Sequence, residues 1–594
     1  MQTVVNNNSS CKRNSDKESF IKLFLKVSNT FMCTKNENIT DDKPSENISN
    51  SYTSRKCRKD ICVRANQLKY QNFREWLCCL NQTLKDSFPI DSNFRNNVRV
   101  VSNSLFSIVK PTPLKNNVKL VSISEHALST CLDLDPKAAQ DDLFLNFVNG
   151  DNQLEFFPPA LAHRYGGHQF GYWAGQLGDG RAVLLGDYVN SEGQRWELQL
   201  KGSGKTPYSR SGDGRAVVRS SVREFLASEA MYHLGIPTSR AAAILVSDDE
   251  VIRDQFYDNH PLGEKTAIVL RLAPTWFRIG TLEILTKSGE VELLKKVLDY
   301  LIITFFKGID IKDTNKYVKF YSAVVRDTAH LIAQWQAVGF AHGVCNTDNF
   351  SILSITIDYG PFGFLDKYNP KFVPNFSDDE ERYSFEKQPD VGFFNLEKLL
   401  SAIMPVLDSE QTKTTYLLLN DYNEIYKSSF LKLFSKKFGL NSVEKSDEFL
   451  IATFLKILQD TQSDYTMSFR QLGEISYDQL ATDQIDSKFW ALKYLSSHSL
   501  FPRFLNLYKS RLELYSTTDE ERQYIMNNSN PVYILRNWIA QKAISEVENG
   551  NFDYLQRLKR IFENPFMRQK DAEDLGFAKK PPYWASYLHV SCSS

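Results

Sequence analysis

The chain has 594 residues, more than one hydrophobic core serves, so roughly three or four units of about 150 residues are expected. Its 71 Lys+Arg balance 71 Asp+Glu, and a neutral chain lacks the basic excess of a general nucleic-acid or membrane-surface binder. Hydrophobic residues at 42% and charged residues at 24% are those of a soluble globular protein, and no apolar run approaches the roughly 20 residues that span a bilayer.

Residues 1–65 are rich in Asn, Ser, Thr and Lys, as in NENITDDKPSENISNSYTSRK, and read as a disordered or removed segment. Within them ESFIKLFLKVSNTF sets apolar residues at helical spacing between lysines, the pattern of a targeting helix, although Asp16 and Glu18 run against import presequences. Six of the nine cysteines precede residue 80, which is no disulfide framework. Cys57 and Cys62 lack the second pair or the histidines of a zinc site, so free thiols in a reducing compartment are expected.

The fold is expected to begin near FREWLCCL. From 160 to 275 the pattern is mixed: RAVLLGDYV, RWELQLKG and TAIVLRLA read as strands, and RAVVRSSVREFLASEAMYHLG as a helix stopping at Gly235-Ile236-Pro237. From about 290 helices dominate, as in DTAHLIAQWQAVGFAHG, and one strand pair interrupts them in SILSITIDYGPFGFLD. Beyond about 385 the chain is helical and patterned for packing, as in NLEKLLSAIMPVL and PVYILRNWIAQKAISEV.

Twelve of the 27 glycines fall in the 49 residues from Gly166 to Gly214. The segments GQLGDGR, KGSGK and SGDGR each end on a basic residue, and glycines let backbone N–H groups turn toward an anion. The plainer reading is a set of tight hairpin turns with solvated charges. Arg215, Arg219 and Arg223 are spaced four apart, on one face of a helix expected to start near Gly214. With Lys201, Lys205 and the positive end of that helix they would form a polyphosphate cradle, unless some pair with acids elsewhere. Lys201 ends the strand WELQLK and needs an acid to fix it; Glu224 and Glu229 on the following helix are the candidates. Glu224 abuts the basic face and matches the strand-Lys to helix-Glu pairing of kinases.

Downstream, HGVCNTDNFSILSITIDYGPFGFLD holds Asp348-Asn349 after a helix, and Asp358-Tyr359-Gly360 at the end of a strand. A carboxylate plus an amide oxygen is the sparse protein contribution typical of Mg²⁺, whose other ligands come from phosphate and water. A separate Asp accepts the proton of an attacking hydroxyl. This is kinase catalytic-loop chemistry in compressed form, although any single Asp here also suits a turn or a cap. His342 reads as a support for the loop backbone, and His163 and His168 as structural.

The segments YGGHQFGYWAGQLGDGR, LQLKGSGKTPYSRSGDGRAVVRSSVREFLASEAM, LRLAPTWFRIGTLE and HGVCNTDNFSILSITIDYGPFGFLD closely resemble the selenoprotein O family. The similarity runs from about residue 105 to the C-terminal Ser591-Cys592-Ser593-Ser594. It implies an α+β, protein-kinase-like two-lobed fold. Residues 66–285 would form the N-terminal region and α/β nucleotide-binding lobe, 286–385 the helical lobe with the catalytic loop and metal site, and 386–594 a helical extension. It also implies a protein adenylyltransferase that binds ATP in a flipped orientation and transfers AMP to Ser, Thr or Tyr hydroxyls of proteins, with Mg²⁺ or Mn²⁺ as cofactor.

By that resemblance Gly178, Gly180 and Arg181 contact the nucleotide, and Lys201, Asp213 and Gly214 lie on its phosphate side. Arg271 and Arg278 complete the pocket, Asp348 is the proton acceptor, and Asn349 and Asp358 are the metal ligands. Eukaryotic relatives resembling this chain are mitochondrial; the alternative location is cytoplasmic. Cys345 stands where a larger apolar residue is expected. Cys592 stands where many animal members carry selenocysteine, and is either a native cysteine or a letter for a recoded residue. On a mobile tail it would be a redox handle for a thiol partner. Two rival functions remain at this level: an ordinary phosphotransferase on the same fold, and a nucleotide-binding pseudokinase acting as a redox-linked interaction module.

Overall fold

The computed structural model describes residues 69–151, 159–482 and 485–591. The targeting-type helix expected within residues 1–65, and the redox candidate Cys592, lie outside the described residues. The strands in chain order are β1 (Ile90–Asp91), β2 (Phe106–Val109), β3 (Lys119–Ile123), β4 (Ala160–His163), β5 (Gly166–Gln169), β6 (Tyr172–Gln176), β7 (Ala182–Val189), β8 (Arg195–Lys201), β9 (Ala216–Val217), β10 (Arg240–Arg253), β11 (Leu262–Ala273), β12 (Phe340–Ala341) and β13 (Gly363–Phe364). Nine of them form one sheet in the order β1-β2-β4-β7-β8-β11-β10-β3, with β9 added onto β11; β5 and β6 form a separate hairpin.

Period-two patterning in β8 sorts its side chains between two sides of the sheet. Leu198 and Leu200 enter a core with Val183, Leu185, Ile268, Leu270 and Leu272. Glu197, Gln199 and Lys201 alternate with them and are also buried. A buried polar row needs partners, and β11 supplies one: Arg271 pairs with Gln199 in the antiparallel register. The helix Val218–His233 covers the same region, and its Val222, Phe225, Leu226 and Ala230 join the larger core. It ends at Leu234, followed by Gly235 at φ +79°, as the sequence leads one to expect. Its start differs from expectation: Ala216–Val217 first pair with β11, so the helix begins at Val218 and Arg215 lies before it.

The remainder is helical, including Ile279–Lys287, Val291–Phe305, Lys316–Val338, Gln388–Ile403 and Ser409–Lys437. None of the helices among the described residues is long and apolar enough to cross a membrane. The strand pair expected in 351–366 does not form. Gly363–Phe364 form its one strand, paired with Phe340–Ala341; Ser351 and Thr356 make only isolated bridges, and Ser354 and Asp358 take left-handed backbone (φ +49° and +56°). The reason is competition for backbone partners. Ile352 N–H donates to Phe277 and Thr356 N–H to Pro237, while Ile279 and Ser239 N–H donate to Phe350 and Thr356. The loop is thereby bonded chiefly to the sheet-bearing half. In the segment PVYILRNWIAQKAISEV the helix starts only at Asn537; Val532 N–H donates instead to Pro565.

The chain's end returns to its beginning. The helix Asp553–Phe562 caps the outer edge of β3: Gln556 Nε2 donates to the Val121 carbonyl at 2.6 Å, and Lys559 Nζ to the Ile123 carbonyl at 2.8 Å. The tail is also held rather than mobile through Ser591. Phe376 N–H donates to the Val590 carbonyl at 2.9 Å, and the Ser591 hydroxyl donates to the Gln255 carbonyl.

Candidate active site

Lys201, the last residue of β8, is buried, and its Nζ lies 2.7 Å from Glu224 Oε2. Burial pushes its pKa down and Glu224 opposes that shift. Of the two acids offered by the helix, Glu224 is thus the partner. Glu229 serves the structure instead, holding Arg240 at 2.6 Å and accepting from Ser124 Oγ at 2.5 Å. Glu224 Oε1 takes Arg271 at 2.7 Å. Arg271 also reaches Asp358 Oδ1 at 2.7 Å and the Gln199 amide oxygen.

Asp358 is the hub of the site. Its second oxygen lies 2.6 Å from Arg278. Burial alone would raise its pKa, but Arg278, Arg271 and Lys201 outweigh that and hold the carboxyl well below its usual range. Arg278 also donates to the Asp348 carbonyl at 2.6 Å and lies over the Tyr165 ring at 4.3 Å, so one guanidinium ties both acidic segments. Arg181 belongs to the same cluster; burial lowers its pKa, and Glu224 and Asp358 act against that shift.

Asp348 sits in the turn Thr347–Asn349 and is buried. Its Oδ2 accepts from Gln169 Nε2 at 3.0 Å, while its Oδ1 has no hydrogen-bond partner. Burial pushes its pKa up to about 6, with Gln169 and Arg278 opposing. A carboxylate left basic in this way suits a proton acceptor. Asn349 donates its amide N–H to the Val344 carbonyl at 3.0 Å, which fixes the orientation of its oxygen. His342 is the expected loop support: its ring spans the Ile357 carbonyl at 2.9 Å and the Val344 N–H at 3.4 Å, which makes it a neutral imidazole donating from Nε2. His163, in contact with Thr281, and His168, 2.5 Å from Glu283, are likewise structural.

The five-cation cradle is not assembled as expected. Arg215 donates to the Pro113 carbonyl at 3.2 Å, and Arg219 pairs with Glu264 at 3.0 Å. Arg223 donates to the Phe362 carbonyl and to Asn537 Oδ1 at 3.1 Å, and Lys205 is exposed. Helical spacing put three arginines on one stripe, but the helix is buried on several sides, so each finds a separate partner. Asp213 caps the Arg215 N–H at 2.8 Å and pairs with Arg253 at 2.8 Å.

The glycines serve close approach of one chain segment to another. A Cβ on Gly178 would lie 2.5 Å from the Tyr208 ring, and one on Gly180 2.8 Å from the Tyr208 carbonyl. Gly214, at φ +75°, leaves only 2.1 Å for a Cβ against Gly204. Three groups in the site carried no sequence signal of their own. Asp179, pushed up to about 6 by burial, accepts from Gln199 at 3.2 Å. Tyr165 underlies Arg278, and Gln169 contacts Asp348. All three lie in YGGHQFGYWAGQLGDGR, whose glycines drew attention to phosphate instead; their partner Gln199 could have been flagged by alternation within RWELQLK.

Among the described residues no cluster of three or more His, Cys, Asp or Glu could hold a metal ion. Asp358 and Asn349 offer oxygen ligands of the kind a hard divalent ion takes, with phosphate and water supplying the rest; both Asp358 oxygens are here held by Arg271 and Arg278, contacts a cation would have to share or displace.

The family described as "Protein adenylyltransferase SelO" matches residues 89–563. A protein nucleotidyltransferase YdiU of Myxococcus xanthus is 41% identical over 82% of this chain and 95% of its own length. Another YdiU, of Azoarcus sp., is 38% identical over 85% of this chain and 97% of its own. A mouse protein described as "Protein adenylyltransferase SelO, mitochondrial" is 36% identical over 84% of this chain and 89% of its own.

Proposed function

The chain belongs to the protein adenylyltransferase SelO family and is a protein adenylyltransferase; from that premise we propose that a kinase-like fold here transfers AMP from a flipped ATP to hydroxyl side chains of proteins. The observation that carries the site assignment is the single charged network Lys201–Glu224–Arg271–Asp358–Arg278. It joins the strand lysine, the helix acid and the loop acid expected of such a fold.

Asp348 takes the proton from the acceptor hydroxyl as its oxygen forms the bond to the α-phosphorus. The bond from that phosphorus to pyrophosphate breaks, and the electron pair leaves with pyrophosphate. Arg181, Lys201, Arg271 and Arg278 are fixed cations placed to hold that departing charge, and they need no reorganisation at the moment of reaction. Gly178 and Gly180 place the Arg181 loop beside the nucleotide, and Asp213 and Gly214 shape the phosphate side through Arg253 and Gly204. Mg²⁺, or Mn²⁺ in its place, held by Asp358 and Asn349, would supply further neutralisation of phosphate charge.

Residues 66–285, 286–385 and 386–594 are taken as the nucleotide lobe, the catalytic lobe and the extension. The partners are proteins bearing free hydroxyls, with a thiol partner through Cys592. The location is taken as mitochondrial, from the description of the mouse relative. ATP labelled separately at the α and γ positions tests the reading. Label retained on protein from the α position alone supports it; label from γ alone means an ordinary kinase, and from neither a binding module.

A further inference from the structure

The β5–β6 hairpin (166–176) lies on the catalytic loop. His168 N–H donates to Thr347 Oγ1 at 2.7 Å. Phe170 N–H donates to Asn346 Oδ1 at 3.2 Å and to the Tyr383 hydroxyl at 2.9 Å. The hairpin is therefore anchored by its backbone, on Asn346, Thr347 and Tyr383. Beyond these backbone bonds, the Gln169 side chain reaches Asp348 Oδ2 at 3.0 Å.

We propose that Gln169 is a positioning residue for the transfer step, fixing the orientation of the Asp348 carboxylate through its Oδ2. This rests on the assignment of Asp348 as proton acceptor. Two observations carry it. Asp348 Oδ1 is buried and has no hydrogen-bond partner, although a buried carboxylate oxygen normally has one. Gly167 packs directly against the same carboxylate: a Cβ on it would sit 2.7 Å from Oδ1 and 2.9 Å from the Asp348 Cβ. Gly167 has no left-handed backbone to explain its glycine, so what a side chain there would disturb is the placing of Asp348.

The test compares Gln169→Leu, Gly167→Ala and Asp348→Asn in the full chain, reading kcat, the KM for ATP and nucleotide affinity by calorimetry. Gln169→Leu is expected to lower kcat by about 10- to 100-fold, the scale of a misplaced acid–base group, with ATP affinity unchanged within about twofold. In the Asp348→Asn background it should cost nothing further, since the two act as one unit. Gly167→Ala, whose backbone is unstrained, should lose turnover while keeping nucleotide affinity. Gln169→Met serves if the leucine variant fails to fold. Wild-type kcat in Gln169→Leu or Gly167→Ala, with Asp348→Asn inactive, overturns the inference and leaves Asp348 as the base. A fall in ATP affinity matching the fall in kcat shows Gln169 to be structural only, and also overturns it. Wild-type kcat in Asp348→Asn removes the base assignment itself.

Discussion

Lys201 Nζ and Glu224 Oε2 stand 2.7 Å apart, joining the end of β8 to the helix Val218–His233, and the other oxygen of Glu224 is already committed to Arg271. The lysine therefore can leave without stranding the acid. Lys201→Met should weaken ATP binding or turnover by about 10-fold or more, the usual weight of a charged contact to phosphate, while thermal unfolding shifts by only a few degrees. Isothermal titration with ATP beside a melting curve checks both; wild-type affinity and activity would take Lys201 out of the site.

Glu224 and Glu229 lie on the same helix and are both buried against arginine, so they separate function from stability. Glu224→Gln and Glu229→Gln should each destabilise by about 3 kcal/mol, because each leaves a buried cation uncompensated. Only Glu224→Gln should lose transfer per folded molecule, since Glu229 faces Arg240 and Ser124. Equal loss of specific activity in the two variants would mean that the helix acts as a whole, not through Glu224.

Asp358→Asn removes an anion pinned by two arginines. Divalent-cation dependence of ATP binding should disappear, and transfer with it. Affinity for metal-free ATP should hold or rise, because Arg271 and Arg278 lose the carboxylate that competes with phosphate. Titrations with and without Mg²⁺ read this directly; a cation effect of wild-type size in the variant would place the metal elsewhere.

Much of this site was legible before folding because its chemistry is carried by residues of fixed type at strand ends and turns. Lys201 at the end of an alternating strand meets Glu224 on the next helix, and Arg278 joins Asp358 to the Asp348 carbonyl. What was not legible depends on partners distant in the chain. Arg215, Arg219 and Arg223 share a stripe, yet Pro113, Glu264 and Asn537 claim them one by one. Residues 351–366 carry strand-forming side chains, but Phe277 and Pro237 accept the hydrogen bonds a hairpin would have used. Gln169 was hidden because an amide has no pattern of its own.

Lys437 is buried over the Phe469 ring at 4.1 Å, and burial pushes its pKa from 10.5 down to about 7. Between these values the unfolded chain holds a proton that the folded one lacks, so this group makes stability rise with pH. Below about pH 7 both states are charged and the burial penalty is complete. Lys437→Met should therefore stabilise at pH 7, on the order of 2 kcal/mol after the lost cation–ring contact is set against it. The gain should shrink as pH approaches 10. Denaturant melts at pH 7 and pH 9.5 decide it; an equal gain at both pH values would show that Lys437 keeps its proton throughout.

The capping of β3 by Gln556 and Lys559 bears on how the protein is made. Residues 119–123 leave the ribosome more than four hundred residues before the side chains that cover their outer carbonyls. During most of synthesis the sheet thus carries an open edge, a template for pairing with a second nascent chain. A product stopped early would release it in that state. Chains shortened ahead of residue 553 should accumulate as aggregates or chaperone-bound species rather than as soluble, merely inactive protein.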